Sequence, residues 1–161
     1  MSALARGALA LLLVATLALS ACGPSEPQFR SADVTGTTYG RDFALTDHHG
    51  KAVTLADYRG KAVVLFFGYT HCPDVCPTTL SELAAAMEKL GPAAKDVQVL
   101  FVTVDPARDT PALLGQYVPA FNPSFVGLYG DAAALERTAK EFRVLFLYHD
   151  GATPESYTMD H

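Results

Sequence analysis

The chain has 161 residues, half of them hydrophobic, and a formal charge of -5. That length accommodates one globular domain with room for extra segments. The acidic balance lacks the basic footprint that nucleic-acid binding requires, so no nucleic acid is expected among the partners.

Residues 1–21 read as a signal segment. Arg6 supplies a positive start, and Gly7 to Leu19 is an apolar run too short to span a bilayer comfortably. The run ends in Leu19-Ser20-Ala21-Cys22. This resembles a bacterial lipobox, in which the cysteine is lipidated and the chain is cut before it. The competing reading is an ordinary signal peptide with an incidental cysteine. Lipidation of Cys22 would anchor the protein to the bacterial cell membrane, with its domain on the extracytoplasmic (periplasmic) side, where dithiols can oxidise. Cleavage would remove Arg6 as the only charged residue, so the charge would go from -5 to -6 by loss of that one positive charge. Residues 22–36, which mix Pro, Ser, Glu, Gln and Asp with little apolar content, read as a flexible tether. Residues 37–161 are left for the folded domain.

Phe43-Ala44-Leu45-Thr46 and Val53-Thr54-Leu55 read as short strands around a His48-His49-Gly50 turn. Ala62 to Phe67 is an unbroken apolar run, which predicts a fully buried strand. After Gly68–Pro77, the residues Leu80, Leu83, Ala84, Met87 and Leu90 recur at helical spacing, and Gly91-Pro92 stops the helix. Val97 to Val104 predicts a second apolar strand. Pro111 fits the first turn of another helix, capped by Thr110 or Asp109, with Leu113, Leu114, Tyr117 and Val118 on its apolar face. A strand over Phe125–Leu128, a helix over Ala132–Phe142 capped by Asp131, and a strand over Val144–Tyr148 complete the pattern. Strands alternating with helices predict an α/β fold with a parallel central part.

The chemistry concentrates in Gly68-Tyr69-Thr70-His71-Cys72-Pro73-Asp74-Val75-Cys76-Pro77, between a strand and a helix. Pro73 and Pro77 are tolerated only in a first turn, so the helix begins at one or the other. Both thiols then lie near a helix N-terminus, where free N–H groups and the dipole favour thiolate. Two chemistries remain open. A dithiol can exchange disulfides, although three intervening residues rather than two is not the usual redox spacing. Two soft thiolates can instead hold Cu(I), zinc or an iron–sulfur group, given a third donor. A plain disulfide across so short a loop would stabilise little. Among the histidines, His71 adjoins Cys72 and could lower its pKa, or be an exposed loop residue. His48, His49 and His149 fall in turns, and Met159 near His161 fits core packing. Asp105, Arg108 and Asp109 cluster at a strand's C-terminal end, where α/β proteins place their sites. Turn formation and helix capping would also account for them.

Three ordered blocks carry a family resemblance. Phe66 to Pro77 resembles the signature of the Sco/SenC family of copper chaperones, Val104 to Pro111 its second block, and Tyr157-Thr158-Met159-Asp160-His161 the start of its third. The resemblance implies a thioredoxin-like fold with an added N-terminal β-hairpin. It also implies that a C-terminal strand and helix are missing, because the family continues past the histidine at which this chain stops. It places copper, Cu(I) or Cu(II), on Cys72, Cys76 and His161, with Asp105, Arg108 and Asp109 supporting the site or its partner surface. The implied function is delivery of copper to the binuclear copper site of cytochrome c oxidase subunit II, with an extracytoplasmic copper donor upstream. The alternative is an enzyme, a thiol–disulfide reductase that uses Cys72 and Cys76 as a redox pair on the oxidase cysteines. A redox or copper sensor is a third possibility. The metal reading needs His161 and the redox reading does not.

Overall fold

A computed structural model describes residues 29–151, 153 and 156–160. The signal segment, residues 22–28 of the tether with Cys22, and His161 lie outside the described residues. The chain divides into two compact units, Met1–Gly36 and Thr37–His161. The strands and helices of the described residues all belong to the second unit. Among the described residues no helix is long and apolar enough to cross a membrane.

The unit opens with a hairpin of β1 (Ala44–Asp47) and β2 (Ala52–Thr54), which pairs Leu45 with Val53. Asp47 builds the turn: its carboxylate accepts the N–H groups of His49 and Lys51, both at 2.9 Å. Gly50 takes the left-handed conformation at φ 88°, which a turn residue with a side chain adopts only with strain. His48 ties the hairpin to the rest of the sheet. Its N–H donates to the Gly127 carbonyl, and its Nδ1 accepts the Gly127 N–H, each at 2.9 Å. Burial, then the neighbouring His49, holds this imidazole below its ordinary pKa and keeps Nδ1 available as an acceptor.

The rest alternates strand and helix as the periodicity predicts. β3 (Ala62–Gly68) is followed by α1 (Val75–Leu90), β4 (Val97–Thr103), α2 (Pro111–Phe121), β5 (Val126–Tyr129) and α3 (Ala132–Glu141). The five strands lie in the order β2-β1-β5-β4-β3, with β3, β4 and β5 parallel and β1 antiparallel to β5. β4 is the core strand. Val99 and Phe101 pack with Leu80, Met87, Leu114 and Val118 of α1 and α2, while Leu100 and Val102 pack with Phe43, Leu45, Leu128 and Leu135. The alternation follows from the two-residue period of a strand. Thr110 caps α2, its hydroxyl accepting the Leu113 N–H, and Asp131 caps α3 by accepting from Ala134.

Three expectations are corrected. β3 is not fully buried: it is the outer strand of the described sheet, and only Phe67 and Gly68 at its end are buried. α1 begins at neither proline. Asp74 is its N-cap, leaving Pro73 outside and placing Pro77 in the first turn, where its missing N–H costs nothing. The strand expected at Val144–Tyr148 is β6 (Leu147–His149), paired with β7 (Thr158–Asp160) in a separate two-stranded hairpin. The Val144 N–H cannot join a ladder because it bonds back to the Ala139 carbonyl at 2.8 Å, and Val144 and Phe146 pack against the core.

Candidate metal centre

The dithiol segment starts where β3 runs out. Gly68 is the last strand residue, and a Cβ there would stand 2.9 Å from Cys76 Sγ and 2.8 Å from the Phe101 ring. Glycine is therefore what lets Cys76 pack under the strand. The chain then turns at Tyr69, whose carbonyl accepts the Cys72 N–H at 3.2 Å, and enters α1. Cys76 sits in the first helical turn, where backbone N–H groups have no intrahelical partner. Its own N–H points to Cys72 Sγ at 3.4 Å. The two residues are a pair of thiols, not a disulfide.

The two sulfurs are not equivalent. Cys72 is part-exposed. Burial pushes its pKa up, but hydrogen bonds from the backbone of Cys76, Asp74 and Val75 and from the Cys76 thiol outweigh it, so the thiol ends below its ordinary value. Cys76 is fully buried, and that burial, with the Cys72 thiol and the Asp109 charge nearby, pushes it up to about 12. One sulfur is thus accessible, with its pKa lowered, and the other is a protected thiol.

Asp109 braces the segment. Its buried carboxylate accepts the Thr70 N–H at 3.1 Å, the Thr70 hydroxyl at 2.6 Å and the Thr103 hydroxyl at 2.6 Å. His71, half-exposed, lies with Nδ1 3.0 Å from the Thr70 hydroxyl and 3.8 Å from Asp109. Capping therefore does not account for Asp109, because Thr110 caps α2 and the carboxylate reaches across to the end of β3.

Asp105 and Arg108 face elsewhere. Arg108 Nε bonds Asp105 Oδ2 at 2.5 Å, and its Nη1 donates to the Tyr157 carbonyl at 3.0 Å. The Tyr157 hydroxyl donates to Asp105 Oδ1 at 2.6 Å. Burial first, then that bond to Asp105, pushes the Tyr157 hydroxyl up to about 12, so it remains a donor at neutral pH. These contacts fasten the β6–β7 hairpin. Met159, on β7, donates its N–H to the Tyr69 hydroxyl at 3.3 Å and packs on the cluster that holds both cysteines. His149 pairs with Asp160 at 2.7 Å, and His48 bonds Gly127 rather than the thiols.

Among the described residues no group of three His, Cys, Asp or Glu could hold a metal. Two soft sulfurs suit a soft cation and leave it short of a donor. β7 ends at Asp160, and His161 follows it outside the described residues. Sequence reasoning passed over Tyr69, Thr70, Thr103 and Tyr157. All but Thr103 sit within the blocks that drew attention, but residue type alone gave no sign that they join one block to another.

The family model described as SCO1/SenC matches residues 31–161. The mitochondrial "Protein SCO2 homolog" of Bos taurus is 41% identical over 122 residues, covering 74% of this chain and 46% of that protein. "Protein sco1" of Schizosaccharomyces pombe is 40% identical over 125 residues, covering 76% of this chain and 48% of that protein. The chain thus spans about half the length of these curated relatives. Among solved structures, ScoI of Bradyrhizobium japonicum with copper bound has a TM-score of 0.72 and 44% identity, over 76% of this chain and 78% of that one. The fold is therefore the thioredoxin-like fold of Sco proteins, with β1–β2 as its added N-terminal hairpin, and the chain belongs to the SCO1/SenC family.

Proposed function

We propose that this protein is a copper metallochaperone for cytochrome oxidase assembly, with copper as cargo held by Cys72, Cys76 and His161. The observation that carries the reading is the unequal thiol pair at the start of α1, inside a chain similar to a Sco protein solved with copper. Cys72 takes copper first, since it is accessible and has the lower pKa, and a shared coordination with the donor protein follows. Cys76 then gives up its proton and adds the second sulfur, and the imidazole of His161 completes the site. The reverse order releases copper to the binuclear site of oxidase subunit II. Asp109 keeps the dithiol segment in place during both exchanges.

His161→Ala tests this. It removes a ligand and spares the dithiol. Copper binding weakens and oxidase assembly fails, while disulfide exchange is kept. Normal copper-site assembly by the variant would reject the metallochaperone reading in favour of the second one.

That second reading, a thiol–disulfide reductase acting on the oxidase cysteines, is favoured by the same thiol asymmetry. The Cys72 thiolate attacks the target disulfide and releases one target thiolate. Cys76, once deprotonated, attacks Cys72 Sγ and releases the other. The target gains two electrons as a dithiol and Cys72–Cys76 leaves as a disulfide.

The same proposal anchors the protein by lipid on Cys22 at the extracytoplasmic face of a bacterial membrane, with residues 22–36 as the tether. Intact mass of the membrane fraction should give a mature chain that begins at acylated Cys22. An unmodified Cys22 there would end this part of the reading.

A further inference from the structure

We propose that Arg108, clamped between Tyr69 and Tyr157, is a latch that joins the β6–β7 hairpin to the dithiol segment, making Arg108, Tyr157 and Tyr69 positioning residues for the third copper ligand. The proposal rests on the reading of Cys72, Cys76 and His161 as ligands.

The hairpin has little core of its own. Each of its strands is three residues long, β6 is exposed throughout, and in β7 only Met159 is half-buried. Leu147 and Tyr148 are exposed. A two-stranded hairpin of this kind is marginal in water by itself. Yet β7 runs directly into His161. A ligand on a loose hairpin has to be ordered when copper binds, and that ordering opposes binding.

The latch supplies order beforehand. The Arg108 guanidinium carbon lies 3.4 Å from the centroid of the Tyr157 ring and 5.6 Å from that of Tyr69. The ion pair with Asp105 that anchors it is buried: the Asp105 side chain is 2% exposed and that of Arg108 14%. Arg108 and Asp105 then hold Tyr157 at both ends, by its carbonyl and its hydroxyl. Tyr148 stacks on the outer side of the joint, 4.5 Å from the Tyr157 ring. Tyr69 closes the path, since its hydroxyl accepts from Met159 of β7 and its carbonyl accepts from Cys72. Cys72, Tyr69, Arg108, Tyr157 and β7 form one continuous chain of contacts. A planar guanidinium fits between two rings while bonding in its own plane; an ammonium cannot do both.

The test is a set of Cu(I) competition titrations against a chelator, on the full chain and on Arg108→Lys and Tyr157→Phe, each alone and combined with His161→Ala. Arg108→Lys should weaken copper binding by about 10–100-fold, the range for residues that orient metal ligands. Tyr157→Phe keeps the ring and loses only the bond to Asp105, so its loss should be smaller and its fold intact. In the His161→Ala background both losses should shrink to within about 2-fold, because a latch without a ligand to position has nothing to contribute. Equal losses with and without His161, or native affinity in both latch variants, would overturn the latch while leaving the ligand assignment in place. Native affinity in His161→Ala alone would overturn the ligand assignment, and the latch with it.

Discussion

Cys76→Ser is expected to lower Cu(I) affinity by on the order of a thousandfold, equivalent to about 4 kcal/mol. The substitution leaves one thiolate and one imidazole, and puts a hydroxyl that is a poor donor to a soft cation at a fully buried position. The pH dependence should change with it. Burial, the Cys72 thiol and the Asp109 charge push Cys76 up to about 12, so it carries its proton throughout the neutral range. Copper must displace that proton, which gives an affinity that rises with pH by about tenfold per unit from this thiol alone. The serine variant loses that part of the slope. Cys72→Ser should be as damaging, because the sulfur it leaves is the buried, protonated one. Chelator competition over a pH series measures both features. Tight binding retained by either single variant, or a slope unchanged in Cys76→Ser, would rule out the two-thiolate site.

The second large effect falls on stability. Asp109→Ala should cost about 3–5 kcal/mol, because it removes the acceptor of three donors and each one left buried without a partner costs about 1–3 kcal/mol. Its carboxylate is the acceptor for the Thr70 N–H, the Thr70 hydroxyl and the Thr103 hydroxyl. Alanine would leave those donors facing a void. Asp109→Asn keeps one oxygen as an acceptor and should cost distinctly less. Because Thr70 lies two residues from Cys72, the alanine variant should also loosen the dithiol segment and speed alkylation of Cys76, now the protected sulfur. Urea unfolding of both variants measures the cost, and a loss under about 1 kcal/mol for alanine would show that the three donors find other partners.

The element order was legible along the chain because local rules produce it. Thr110 and Asp131 cap their helices as short polar side chains before a helix do, and Leu80, Leu83, Ala84 and Met87 face the sheet because their spacing is helical. Position within the sheet was not legible. Ala62–Phe67 is unbroken and Val97–Val104 is interrupted by Gln98 and Thr103, yet β4 takes the centre and β3 the outside, which composition does not say. That order depends on which strands pair, a matter of contacts far apart in sequence. The strand expected at Val144–Tyr148 moved for a related reason. The apolar run there divides its work, with Val144 closing α3 and packing inward and only Leu147–His149 entering a ladder.

For the candidate site the division is similar. The sequence by itself determined the dithiol: Gly68, the two prolines and the cysteines at four-residue spacing are enough to seat two sulfurs at the start of a helix, since strand exit and helix entry are local events. It also determined the family, through three blocks in order. Tertiary structure alone decided how those blocks meet. It made Cys76 the buried sulfur and Cys72 the accessible one, because Cys76 packs in one cluster with Leu100, Val102 and Leu128, which come from elsewhere in the chain. It separated three charges that look like one cluster, sending Asp109 to Thr70 and Asp105 with Arg108 to Tyr157. A carboxylate's partner is set by what the fold brings within about 3 Å, and no local rule reaches across the 39 residues between Thr70 and Asp109 or the 52 between Asp105 and Tyr157.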